Sequence, residues 1–349
     1  MSMPPVIVRV TGRVGRIVLN RPRAINALTS EMVDIIHATL DHWEESPLVR
    51  NIIITGSGGR GLCAGGDIRA IHADAVSGAD TSLDFWQREY RLNARIAHYP
   101  KPIVAWMDGL VMGGGIGIAA HASHRLVTER AKLAMPEVGI GFHPDVGGSW
   151  LLGRAPGEIG THLALTGTPI GAADAIGAGL ADTFVPSRRL AHLLTQLSVR
   201  NTNPAIATVA AASPDAELLR GRDWIDSCYG AATVNEIIAR LQQHPDPAAQ
   251  GAAKEISTKS PTSLAVALRS IRSARKLPHL EAALGQEYRL SAAMLHSPDL
   301  AEGIRAQIID KDRCPQWSPP DIESVPTSLV DKFFAPIEQE LELVSEAPQ

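Results

Sequence analysis

"DGLVMGGGIGIAAH", Asp108–His121, opens at the end of the apolar, strand-like run "PIVAWMDG" and runs into a helical pattern. A glycine-dense turn between a buried strand and a helix is a place where backbone N–H groups can face a ligand. The first amides of a helix have no intrahelical acceptor, and glycine lets another group come close to them. A second stretch, "GSGGRGLCAGGDIRAI", Gly56–Ile71, repeats the arrangement after "RNIIITG". Taken singly, each reads as a tight strand-to-helix turn. A dinucleotide fingerprint does not fit: the frame that starts at Gly113 reaches Gly115 and then Ile118 where the third glycine belongs. No G-x-x-x-x-G-K-[ST] run occurs either, so the glycines serve something other than a phosphate cradle.

Outward from these turns the chain alternates strand and helix patterns. "VIVRV" and "RIVLN" read as a hairpin, "EMVDIIHATLDHWEE" as an amphipathic helix, and "RNIIITG" and "PIVAWMDG" as buried strands. "HRLVTE" and "ADTFVP" follow as strands, with "THLALTG" and "PIGAADAIGAGL" as helices. That alternation predicts an α/β core with crossover connections. From about Arg189 the pattern becomes Ala- and Leu-rich. "SPTSLAVALRSIRSAR" and "HLEAALGQEYRLSAAMLHS" read as helices, and the division expected is a core over residues 1–198 and a helical C-terminal region over 199–349. The final "SEAPQ" is expected to fray.

At 349 residues the chain is long enough to bury a full core. Its 45% hydrophobic and 20% charged residues and formal charge of −4 give no basic excess to attract nucleic acid. Cys63, Cys228 and Cys314 lie far apart with no metal-ligand spacing, which predicts neither a zinc site nor a disulfide framework and suits a reducing cytoplasm. The N-terminus lacks the apolar stretch of a signal peptide, and no 18-residue apolar run predicts a membrane span.

The remaining question is chemical. "AMPEVGIGFHPDVGG", Ala134–Gly148, carries Glu137 and Asp145 among glycines and prolines that rule out a long helix. Read by position, Asp145 can equally be a cap of the helix that starts at "VGGSWLL". His143 is available as an acid or base, although a lone histidine is more often a packed side chain.

Together, "LNRPRAINAL" (Leu19–Leu28), "CAGGDI" (Cys63–Ile68), "GLVMGGGIGIA" (Gly109–Ala119) and "MPEVGIGFHPDVGG" (Met135–Gly148) resemble the signature of the crotonase, or enoyl-CoA hydratase/isomerase, superfamily. Within it, the Glu137 and Asp145 pair, "EYRLN" (Glu89–Asn93), "EYRLS" and "EGIRAQIIDKDRCPQW" are similar to the 3-hydroxyisobutyryl-CoA hydrolases. The resemblance implies a crotonase-like ββα spiral core with the helical C-terminal region closing the active site. It also implies hydrolysis of a short β-hydroxyacyl-CoA, with 3-hydroxyisobutyryl-CoA of valine breakdown as substrate.

By the same resemblance, the backbone N–H groups of Gly66 and Gly114 form an oxyanion hole for the thioester carbonyl, and Glu137 is the principal carboxylate, as nucleophile or as general base. Asp145 stands where the hydrolases carry an aspartate, to hold the substrate hydroxyl or orient Glu137 and water. Hydratases of the family have a second glutamate where this chain has Gly117, and the hydrolases have an aromatic or apolar residue where it has His143. Coenzyme A is expected along Arg23, Ala24, Asn26, Ala64 and Ile68, with Arg23, Arg69 and Lys311 toward its phosphates. Trp86 and Tyr90 are expected to wall the acyl pocket. No metal or redox cofactor is implied, since CoA is part of the substrate. Neither a nucleic-acid nor a membrane partner is expected, and a homo-oligomer is (trimer, hexamer or dimer). Two readings stand beside this one: a hydratase or isomerase using Glu137 and Asp145, and a non-catalytic acyl-CoA binding protein on the same fold.

Overall fold

The computed structural model describes residues 3–343; the "SEAPQ" tail lies outside them. Nine strands form two sheets. The strands are β1 (Val6–Thr11), β2 (Val14–Leu19), β3 (Asn51–Gly56), β4 (Gly61–Cys63), β5 (Ile103–Met107), β6 (Leu110–Met112), β7 (His124–Val127), β8 (Lys132–Ala134) and β9 (Thr183–Phe184). The larger sheet has the order β1-β2-β3-β5-β7-β9 and the smaller β4-β6-β8. Only the β1–β2 hairpin is antiparallel, with Val6 opposite Leu19 and Thr11 opposite Val14. Every other pairing between these strands is parallel, which is why each return needs a crossover; an isolated Leu133–Ile170 bridge is antiparallel. Each consecutive pair, β3 and β4, β5 and β6, β7 and β8, gives one strand to each sheet in the same order. That repeat is the ββα spiral which the resemblance implies.

The chain forms two compact units, and they do not follow a single cut along the sequence. One contains the described residues through Gly66, Arg91–Ala134 and Pro169–Glu217; the other contains Asp67–Tyr90, Met135–Thr168 and the chain from Leu218 onward. The first holds both sheets. Its β3 and β5 are buried at every position from Asn51 to Thr55 and from Ile103 to Met107, as expected of parallel strands covered on both faces. The helices Leu190–Val199 and Thr202–Ala207 belong to this unit: Leu193, Leu197, Ala205 and Ile206 pack in one core with Ile53, Val104, Trp106 and Leu126. Gly15 of β2 faces Trp43 of the helix Ser30–Glu44 so closely that a Cβ there would lie 2.5 Å from the indole ring, so a side chain is excluded.

The second unit is helical, and four of its helices begin on side-chain caps. Ser260 accepts from Ser263 N–H ahead of Pro261–Ala274, Asp246 caps Pro247–Ile256, and Thr233 with Glu236 forms a capping box ahead of Val234–Gln243. The helix Leu280–Leu295 departs from the Ser/Thr/Pro pattern: its cap is His279, whose Nδ1 accepts from Ala282 N–H. Among the described residues no helix is long and apolar enough to cross a membrane.

Candidate functional site

The loop that carries the two acids is built from two single turns. Glu137–Ile140 is a 3-10 turn, closed by Gly141 at φ 76 with its N–H on the Glu137 carbonyl. The helix Gly148–Gly153 begins after Val146 at φ 54 and Gly147 at φ 79, with Gly148 N–H donating to the Asp145 carbonyl at 2.6 Å. The glycines and prolines that break a long helix therefore place one acid on the first turn and one at the entry to the second. Both side chains are 6% exposed.

Residues of the same unit on two helices lie against them. On Thr81–Ala97, Trp86, Glu89 and Tyr90 share a face at i, i+3 and i+4. Trp86 stacks on Phe142 of the acid loop with ring centroids 5.2 Å apart, and Tyr90 Oη lies 2.8 Å from Asp145 Oδ2, donating to it when the carboxyl is ionised. On Leu280–Leu295, Glu287 and Ser291 share a face. Glu287 accepts from Gly147 N–H at 2.6 Å, from Ser149 N–H at 2.9 Å and from the Ser149 hydroxyl, so one carboxylate holds the start of the Gly148–Gly153 helix. Ser291 Oγ lies 2.7 Å from Tyr90 Oη and 3.1 Å from His143 Nε2.

Glu89 and Glu287 belong to the site although the motifs that contain them do not single them out. Helical spacing is the signal that finds them: Glu89 directly precedes Tyr90 and lies one turn from Trp86, and Glu287 holds the equivalent place in the second "EYRL" run.

Four buried carboxyls thus share one cluster. Among the described residues Glu89 Oε1 and Glu137 Oε2 have no hydrogen-bond partner, so each presents a desolvated face. Burial pushes Glu137 well above the usual carboxylate range, and charges on Asp145, Glu287 and Glu89 push it further. Burial and then Asp145 do the same for Glu89. Asp145 is raised by burial to about 7 against the Tyr90 hydrogen bond, and Glu287 by burial to about 8 against its three donors.

A carboxyl raised in the folded state holds its proton at a pH where the unfolded chain has lost it. Its contribution to stability is fully present below pH about 4 and is lost as pH rises through the folded value. Asp145 and Glu287 therefore make the protein less stable between about pH 4 and pH 8. Asp145→Asn, which cannot ionise, is expected to flatten that decline by a few kcal/mol, read as urea midpoints at pH 5.5 and 8.5. A midpoint difference equal to that of the unsubstituted protein would place the Asp145 proton elsewhere.

In the first unit, Gly66 and Gly114 stand on neighbouring turns. β4 pairs with β6, and Leu28 N–H donates to the Gly65 carbonyl at 2.8 Å beside the Leu28–Gly66 bridge. Gly114 opens the helix Gly114–Ala119 after Gly113 at φ 48. A Cβ on Gly115 would lie 2.5 Å from the Cys63 carbonyl oxygen, so the two turns approach through backbone alone. Ala64 N–H donates to the Ile25 carbonyl at 3.0 Å, which joins the "RAINAL" segment to "AGGD". Arg23 and Ala24 are exposed there, whereas Asn26 is buried. The Asn26 amide bonds the Ser57 and Gly61 carbonyls at 3.1 Å and its Oδ1 accepts from Arg21 N–H at 3.0 Å. Its side chain therefore braces the loop. Gly117 is a buried residue of the Gly114–Ala119 helix.

In the second unit, Ile68 is half-buried at the start of the helix Ile68–Ser77, and the next residue, Arg69, is exposed and reaches the Ile308 carbonyl at 3.4 Å. Lys311, three residues beyond Ile308, is exposed at φ 60.

With this geometry in place, comparison with known proteins gives a family. A model described as enoyl-CoA hydratase/isomerase matches residues 14–334. The chain is 40% identical over 341 residues to a Rattus norvegicus protein named "3-hydroxyisobutyryl-CoA hydrolase, mitochondrial", covering 94% of this chain and 88% of the relative. A Homo sapiens protein of the same name is 38% identical over 341 residues, with the same coverage. Among solved structures, a carnitinyl-CoA dehydratase from Mycobacterium thermoresistibile superposes with a TM-score of 0.95 at 48% identity over 98% of this chain and 99% of that one. An enoyl-CoA hydratase from Rhodobacter sphaeroides gives 0.92 at 43% identity over 97% and 100%. Fold, motif order and full-length similarity agree: the chain belongs to the enoyl-CoA hydratase/isomerase, or crotonase, family.

Proposed function

We propose that the protein hydrolyses the thioester of a short β-hydroxyacyl-CoA, with 3-hydroxyisobutyryl-CoA as the substrate and valine breakdown as its setting. The observation that carries this reading is the pairing of Glu137 with Asp145 in one buried cluster, combined with Gly117 where a hydratase of the family needs its second glutamate. Hydration must deliver both elements of water across a double bond. Hydrolysis needs one group to activate water or attack the carbonyl, and one to hand a proton to the leaving sulfur. The names of the rat and human relatives support hydrolysis.

In this reading the Gly66 and Gly114 N–H groups stabilise the oxyanion, a contribution worth about 100- to 1,000-fold in rate per donor. Glu137, raised by burial, is a stronger base than a solvated glutamate. It takes the proton of the attacking water, Asp145 gives its own to the thiolate, and one proton returns from Glu137 to Asp145 to close the cycle. Attack by Glu137 itself, through an anhydride that water then opens, has the same proton balance. Trp86 and Tyr90 wall the acyl group. Arg23, Ala24, Asn26, Ala64 and Ile68 follow the CoA, with Arg23, Arg69 and Lys311 toward its phosphates.

No metal or further cofactor is assigned. We extend the reading to a homo-oligomer (trimer, hexamer or dimer); its support is the edge strand β1, which exposes Val8 and Val10. We also extend it to a reducing compartment. The three free cysteines support that, and fractionation separates the cytoplasm from the location in the relatives' names.

A hydratase is the second reading, favoured by the names of the two solved structures. Thiol release from 3-hydroxyisobutyryl-CoA, run beside crotonyl-CoA absorbance, tests both. Thiol release with crotonyl-CoA unchanged is expected; hydration of crotonyl-CoA without thiol release would replace the hydrolase reading, and binding of both esters without turnover would make the protein a binder.

A further inference from the structure

Four buried side chains of the second unit form a continuous hydrogen-bond chain. Asp145 Oδ2 is 2.8 Å from Tyr90 Oη, Tyr90 Oη is 2.7 Å from Ser291 Oγ, and Ser291 Oγ is 3.1 Å from His143 Nε2. Tyr90, Ser291 and His143 are fully buried. The far side of the imidazole fixes its tautomer: Nδ1 lies 3.1 Å from the Pro144 carbonyl, which can only accept. The ring proton of a neutral His143 therefore belongs on Nδ1, and Nε2 is an acceptor.

Counting protons gives the state of the chain. Three links need three protons, and the two hydroxyls supply two. The third comes either from a protonated Asp145, with every bond pointing toward His143, or from an imidazolium, with every bond pointing toward Asp145. The two arrangements differ by moving each proton across one link. Burial separates them, because it pushes Asp145 up to about 7 and His143 down to about 3. The groups around the chain act the same way. A charge on Asp145 would be repelled by any charge on Glu89, Glu137 or Glu287, and it raises all three, while burial and the charges on Asp145 and Glu287 hold Tyr90 as a phenol. Toward His143 the protein presents the Pro144 and Glu287 backbone carbonyls and the tilted ring of Phe142, 4.7 Å away.

We propose that Tyr90 and Ser291 relay a single proton between Asp145 and His143, and that His143, by accepting the last hydrogen bond, holds that proton on Asp145. His143 is then a positioning residue. Through two hydroxyls it keeps loaded the acid that protonates the departing thiolate. That consequence for turnover rests on the thioester reading above, whereas the titration of the chain does not.

The relay makes a prediction of opposite signs. Without the acceptor at His143, the protonated and ionised forms of Asp145 allow equal numbers of bonds, so the bias toward the protonated form disappears. Without the Tyr90 hydroxyl, the ionised form loses its donor. Aspartate 13C and histidine 15N spectra of the full-length protein, without substrate, read this directly, with Asp145→Asn identifying the resonance. His143→Phe is expected to lower the Asp145 midpoint by about one pH unit, the worth of one hydrogen bond, and Tyr90→Phe to raise it. Ser291→Ala breaks the same link as His143→Phe and is expected to lower the midpoint even if a phenylalanine at 143 does not fold. In the unsubstituted protein Nδ1 of His143 should carry the proton and Nε2 should not.

A rise in the midpoint with both phenylalanine variants would mean that burial alone sets Asp145, and a proton on Nε2 would break the chain at its end; either overturns the relay. If the protein releases thiol, the alkaline limb of its pH–rate profile should fall with the midpoint in His143→Phe. If it releases none, the thioester reading fails while the two opposite shifts still decide the relay.

Discussion

Replacing Glu137 by glutamine is expected to lower kcat for thiol release by about 100- to 10,000-fold, the range over which a positioned acid or base contributes, while leaving the protein folded. The two halves of this expectation have one cause. Glu137 is nearly enclosed, its Oε2 has no partner among the described residues, and burial together with three neighbouring acids opposes its charge. Such a carboxyl contributes little to stability, and a neutral amide of the same shape relieves repulsion. Thermal melting beside the thiol assay therefore separates chemistry from folding: the midpoint should hold or rise as turnover falls. Full turnover in Glu137→Gln would make this residue a bystander and move the role to Glu89, another acid of the cluster with an unpartnered oxygen.

Gly141→Ala is expected to lose about 2–6 kcal/mol of folding stability, from the cost of a left-handed non-glycine residue and from overpacking. Gly141 ends the turn that starts at Glu137 with φ 76, and a Cβ there would lie 2.1 Å from the Asp299 carbonyl oxygen. Gly303, on the helix Pro298–Ile304, makes the reciprocal approach: a Cβ there would lie 2.4 Å from the Ile140 carbonyl carbon. Loop and helix meet through backbone, so neither can yield as a flexible side chain would. Gly78→Ala is the control. Gly78 has φ 71 and open space around its missing Cβ, so it carries only the conformational cost. Urea midpoints of the two variants give the difference; equal losses would mean that the loop moves aside without penalty.

Much of this molecule is legible in its sequence. The long strands, and helices such as Ser30–Glu44 and Pro261–Ala274, are found because their apolar periods run for five residues or more. β4, β6 and β8 escape, since three residues are too few to show alternation, and β4 and β6 also lie inside glycine-rich runs otherwise read as turns. The consequence is large, because those three strands are the whole second sheet. The acids Glu137 and Asp145 are visible as charges on a loop that cannot be helical. Glu287 is not, because it is 140 residues from Gly147, the amide that it holds, and no local pattern encodes so distant a pairing. His143 shows the complementary limit: it is visible as an exception to its motif, but its partner Ser291 lies 148 residues away.

That distance has a consequence for how the protein is made. Glu137 and Asp145 leave the ribosome long before Glu287, whose carboxylate holds the Gly147 and Ser149 amides across 140 and 138 residues. At a synthesis rate of about 5–20 residues per second, the loop waits roughly 7–28 s for its clamp. During that interval the nascent chain carries its acids on a segment whose amides are still hydrated, and it cannot yet act on a thioester. The finished site therefore doubles as a report that translation has passed Glu287.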